Sequence, residues 1–110
     1  MKPTHAPMDA DATFHREVLG WCVKQRRLAR RLSQEALADL ALISCEVVQH
    51  MERGQDVREG IQMRICWALG TSIVELASEV DRVKGDWQKN GRPQEGSDAQ
   101  ITVGLAQTGV

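Results

Sequence analysis

Aromatic residues are scarce in this chain of 110 residues: Phe14, Trp21, Trp67 and Trp87 are the four present, and there is no tyrosine. A core must therefore be built mainly from Leu, Ile, Val and Ala, which suits a small helical bundle. Cysteine is equally sparse. Cys22, Cys45 and Cys66 are odd in number and form no Cys-x-x-Cys pair, which argues against a disulfide framework or a zinc ribbon and for a reducing cytoplasm. His5, His15 and His50 lack ligand spacing to any cysteine or acidic cluster, so no metal is expected. No segment approaches the ~20 apolar residues that a membrane span needs, and MKPTHAPMDADATFHREV has no apolar stretch suited to a signal peptide. A soluble, cytoplasmic protein is expected. There is no nucleophile–base pair, phosphate-binding loop or metal set, so neither an enzyme nor a cofactor is indicated.

What is present is enough for one domain and too little for a second packed core. The formal net charge is only −1, yet the charges are unevenly placed. Lys24, Arg26, Arg27, Arg30 and Arg31 fall in one eight-residue run without an acid, while Glu75, Glu79 and Asp81 gather further on. Residues 1–12, with two prolines and several small residues, read as a flexible arm. From about Phe14 to Arg31, Phe14, Val18 and Cys22 recur at spacing four beside Leu19 and Val23, giving one apolar helical stripe. Gly20 in its middle costs about 1 kcal/mol relative to alanine, so this helix must lean on packing.

Ser33 is a natural N-cap for a short second helix, Gln34 to Ala41, and Ser44 for a third, Cys45 to Arg53, which Gly54 ends. Ile61, Ile65, Ala68 and Leu69 mark a fourth helix, closed by Gly70. Trp67 falls off that stripe; it and Trp87 fit either a dimer contact or core packing at a helix edge. Ser72 and Glu75 form a capping box for a fifth helix reaching about Lys84. These elements define an all-α, five-helix domain over residues 13–84. Residues 85–110 read as a linker-like tail, in which Gln100 to Leu105 alternates weakly, as a frayed end or a strand would.

Two short helices joined by a three- to four-residue turn form the helix-turn-helix unit, whose second helix can enter the DNA major groove. The match becomes specific at Leu32-Ser33-Gln34-Glu35-Ala36-Leu37-Ala38, Ile43-Ser44, Val48-Gln49-His50-Met51-Glu52-Arg53-Gly54 and Trp67-Ala68-Leu69-Gly70-Thr71-Ser72. Over roughly Leu19 to Leu76 the chain resembles the Cro/repressor family, also called XRE-type or lambda-repressor-like. The resemblance implies a compact five-helix DNA-binding domain that reads the groove with helix 45–53. Gln34 resembles the family glutamine that contacts a phosphate or base edge, and Ser44 the serine that opens the reading helix. Cys45, Glu46, Gln49 and His50 match positions that face bases, and Arg53 and Arg58 positions near the backbone. Arg27 and Glu52 resemble the family's structural ion pair.

Side-chain chemistry agrees in part. Gln49 can pair bidentately with adenine and Glu46 can accept from cytosine N4. His50 can accept when neutral and donate at both nitrogens when protonated. The arginine-rich run on the first helix is suited to phosphate contacts, with a plain solvated face as the alternative. Three departures stand out: Leu42 occupies the turn position often held by glycine, the reading helix has no Lys or Arg before Arg53, and the loop after Gly54 lacks the usual proline.

Two readings of function follow. In the first, the chain is a sequence-specific regulator, in the manner of a repressor, binding double-stranded DNA as a homodimer on a two-fold symmetric operator. In the second, it is a helix-turn-helix interaction module or antitoxin-like protein whose C-terminal tail takes a protein partner.

Overall fold

The computed structural model describes the backbone of residues 5–93 and the side chains of residues 11–93. Among the described residues the order is α1 (His5–Ala29), α2 (Gln34–Ala41), α3 (Cys45–Glu52), α4 (Glu59–Ala68) and α5 (Ile73–Asn90), with no strand. The expected all-α, five-helix fold is the one observed. Gln100 to Leu105 lies outside the described residues.

The apolar stripe of α1 buries Val18, Cys22 and Val23 completely. Against it pack Leu37, Ala38 and Ala41 of α2, Val48 and Met51 of α3, Ile65 and Cys66 of α4, and Leu76 and Val80 of α5. Burial pushes the Cys22 thiol up to about 12 and raises that of Cys66; both are inert core groups rather than nucleophiles.

Gly20 is explained by its neighbours. A Cβ there would overlap the carbonyl oxygen of Met51 and stand 3.0 Å from that of Glu52. The missing side chain lets α1 lie directly on the last turn of α3, which fixes the pose of that helix. The weakness in local propensity supplies a close contact.

Both ends of the helical region extend further than the sequence pattern suggested. Helical backbone begins at His5, taking in residues 5–12 of the expected arm. Ala6, Met8, Ala10 and Ala12 favour helix, and Pro7 falls in the first turn, where its missing N–H costs little. At the other end, α5 runs through Gly85 to Asn90, so residues 85–90 are not linker. The cause is tertiary: Trp87 is buried, with its ring 6.1 Å from Phe14 and 5.6 Å, edge-on, from Trp21. Arg92 closes this layer, standing 5.6 Å from the Trp87 ring centre and 2.7 Å from Glu17 Oε1. Burying an aromatic ring outweighs the roughly 1 kcal/mol helix cost of one glycine.

Candidate nucleic-acid interface

The α2–turn–α3 unit is built by two serines and one strained leucine. Ser33 Oγ accepts the Ala36 N–H at 2.9 Å and opens α2. Leu42 ends that helix in the left-handed conformation, at φ 61° and ψ 45°. There its N–H donates to Asp39 O at 3.2 Å, and the Ile43 N–H donates to Ala38 O at 3.0 Å. Ser44 Oγ then accepts the Val47 N–H at 3.4 Å and opens α3. The expected turn forms without the glycine, at the steric cost of a left-handed leucine whose side chain is exposed.

Helix α3 has 8 residues, spanning about 12 Å. Val48 and Met51 face the core. On the other side, Glu46 and Arg53 are exposed, and Cys45, Gln49 and His50 are partly so. Cys45, Glu46, Gln49 and His50, expected to face bases, and Arg53, expected near the backbone, share the outer face. Two contacts run along it: Gln49 Nε2 donates weakly to Cys45 Sγ at 3.9 Å, and His50 Nε2 stands 3.9 Å from Glu46 Oε2. Ser44 sits at its amino end with its hydroxyl engaged in capping. Arg58 lies past the α3–α4 loop, as the N-cap residue of α4, and is exposed.

The carboxyl end of α3 is held by a buried network. Arg27 donates to Glu52 through Nε at 2.6 Å and Nη2 at 3.0 Å, and through Nη1 to Leu32 O at 2.8 Å. Gln34 Nε2 donates to Glu52 Oε1 at 3.0 Å. One carboxylate therefore ties α1, the start of α2 and the end of α3 together. Here Gln34 spends its amide N–H on Glu52, while its Oε1 remains available as an acceptor.

Two more arginines of the run bond within the domain. Arg26 Nε donates to Glu79 of α5 at 2.7 Å, and Arg30 Nη1 to Ala68 O at 3.3 Å. Other exposed cations lie outside that run. Arg53 is one, and Arg58 and Arg64 line a shallow open recess with Gly60 and Ile61. Arg64 was missed in the sequence, where nothing separates it from an ordinary solvated arginine; its Nη1 reaches Leu42 O at 3.4 Å.

This arrangement matches known proteins. Residues 18–78, more than half of the chain, match the helix-turn-helix domain family. The chain belongs to that family. A structure of the clp gene regulator ClgR from C. glutamicum is similar at 26% identity and a TM-score of 0.57, covering 61% of this chain and 87% of that one. A second structure, of ClgR from Corynebacterium glutamicum, aligns over 86% of this chain and 93% of its own with a TM-score of 0.61; at 20% identity it shows the fold alone. None of the curated proteins matches the chain. As a member of this family, the chain carries in α2 and α3 the two-helix unit of DNA-binding helix-turn-helix domains. Among the described residues, no helix is long and apolar enough to cross a membrane.

Proposed function

We propose that this protein is a non-enzymatic transcriptional regulator, in the manner of a repressor, that binds double-stranded DNA sequence-specifically. The observation that carries this reading is a rigidly clamped α3 presenting Cys45, Glu46, Gln49 and His50 outward, with Arg53 at its end. Gln49 reads an adenine edge and Glu46 a cytosine amino group. Arg53, Arg58 and the Ser44 end of α3 meet the phosphates, which position the helix without specifying sequence. Gln34 adds an acceptor beside the same groove. One such helix covers a single half-site, so two copies act together on a two-fold symmetric operator. ClgR, named as a gene regulator, supports the regulatory role.

Fluorescence anisotropy of DNA from the gene's own upstream region, against scrambled DNA over a salt series, tests this. Preferential binding that weakens steeply with salt is expected. Gln49→Ala should cost about 1–3 kcal/mol at one operator position only, whereas Arg53→Ala should weaken all sequences alike and flatten the salt slope. Equal affinity for both DNAs would remove the claim of sequence reading for this operator.

A second reading has one observation behind it. The outer face of α3 carries no Lys or Arg before Arg53, and the Glu46 side chain is 75% exposed. A carboxylate so placed repels phosphate, which suits a protein partner. Absence of DNA binding at low salt would favour that interaction module.

A further inference from the structure

An exposed carboxylate stands on the outer face of α3. The Glu46 side chain is 75% exposed, and the helix has no lysine or arginine to offset it before Arg53. A groove walled by phosphates repels such a group. One turn further on, His50 Nε2 stands 3.9 Å from Glu46 Oε2, with its side chain 43% exposed. Histidine is the side chain that changes charge between about pH 5 and pH 8. A proton on His50 cancels the charge of Glu46 and leaves both groups at the surface.

We propose that Glu46 and His50 read a cytosine and its paired or neighbouring guanine as one unit, and that His50 takes up a proton as α3 enters the groove. The proposal rests on the reading of α3 as the groove-reading helix. The spacing suits this target. Successive base pairs lie about 3.4 Å apart, so two side-chain tips 3.9 Å apart reach one pair or two adjacent ones. In the major groove, cytosine offers its N4 amino group as a donor and guanine its N7 and O6 as acceptors. The carboxylate accepts from the first. A neutral imidazole has a single N–H, whereas the protonated ring donates from both nitrogens and can serve Glu46 and guanine together.

The surrounding charges oppose one another. Arg53, one turn after His50 on the same face, resists the proton. The loop beyond, folded back by the Gln55 N–H donating to His50 O at 3.0 Å, adds Asp56. On α1, Arg16, Lys24 and Arg27 share the side of Gly20, which touches the end of α3. Of these, Arg27 is bound to Glu52, while Glu17, lying against Gly54, is bound to Arg92. The charged residues of α2 are the exposed acids Glu35 and Asp39. Glu46 is the group at ion-pair distance from the ring. DNA phosphates add to its pull, so proton uptake accompanies binding.

Selection of duplexes from a randomised pool by the full chain, at pH 6 and at pH 8, tests the proposal, followed by anisotropy titrations on the duplex recovered at pH 6. That half-site should hold one G·C pair whose preference weakens at pH 8. Wild-type affinity for it should fall about 10-fold from pH 6 to pH 8, within the limit of about tenfold per pH unit that one proton sets. His50→Gln should bind equally at both pH values. His50→Lys, a fixed cation, should lose the pH dependence and exceed wild type at pH 8. Both variants should keep the helical circular-dichroism spectrum, since His50 is outside the core. Wild-type affinity that does not change with pH overturns the proposal. So does a folded His50→Gln chain that keeps the wild-type pH dependence, or a G·C preference equal at both pH values. Each of those results, obtained on a defined duplex, leaves α3 standing as a sequence-reading helix. A pool that yields no common sequence at either pH overturns that reading and this one with it.

Discussion

The two arginine-bearing regions of this molecule behave in opposite ways. Arg26, Arg27 and Arg30 stand in the densest positive run of the sequence, yet each bonds to another part of the domain: Glu79, Glu52 and the Ala68 carbonyl. Arg53, Arg58 and Arg64 are spread over twelve positions and draw no attention as a cluster, yet all three are exposed, and Arg58 and Arg64 line one open recess. A run of charge along a helix is distributed around its whole circumference. When that helix is central, as α1 is between α3 and α5, much of the charge must be spent on internal partners. Charge density along the chain and charge at a surface are different quantities.

The sharpest way to break this comparison is at Arg27. Its side chain is 9% exposed and that of Glu52 5%. Arg27→Ala leaves a buried carboxylate with only the Gln34 amide, and should lower stability by about 3–5 kcal/mol in urea unfolding. Arg26→Ala, whose partner Glu79 lies on α5 in a pair exposed at 32% and 18%, should cost no more than about 1 kcal/mol. Equal small losses would mean that Arg27 is solvated like any surface arginine and that the inward reading of the run is wrong.

A smaller effect of opposite sign is expected on the open side. Leu42 holds a left-handed backbone with its side chain 74% exposed, so it suffers the steric cost and gains little burial. Leu42→Gly should stabilise the domain by about 1 kcal/mol, the left-handed penalty less the added chain entropy of glycine. In a thermal melt that is a rise of about 4–8 °C for a domain of this size. An unchanged or lower melting temperature would show that the exposed leucine side chain makes up the difference through its contacts.

The centre of the fold was more legible than its edges. Ser33 and Ser44 mark the starts of α2 and α3 because a cap is a local device, written within four residues. Arg27 and Glu52 were identifiable through family resemblance, and the spacing of Val18, Cys22 and Val23 marked the buried stripe. What escaped depends on partners distant in sequence. Gly20 reads as a weak point until the Met51 carbonyl is seen against it. Trp87 lies beyond a glycine in polar surroundings, and nothing local says that Phe14 and Trp21 wait for it across the bundle. Gln34 matched a DNA-contact position, but its bond to Glu52 follows only from how α2 meets α3.

The smallest expected effect lies on the packed side and is a pH dependence. His15 is partly buried on α1, and burial lowers its pKa from 6.5, with Lys84 of α5 acting in the same direction and Asp81 against it. The folded protein thus holds this ring neutral more firmly than the unfolded chain does. As pH falls through 6.5 the unfolded state takes up the proton first, so stability declines from there until the pH drops below the folded-state value. Urea midpoints measured from about pH 7.5 to about pH 5 should fall, and His15→Gln should remove part of that slope while changing little above pH 7. A His15→Gln chain that keeps the whole slope would assign the acid sensitivity to other groups. It would also mean that the α1–α5 layer around Trp87 does not hold its neighbouring polar groups away from water as the packed core does.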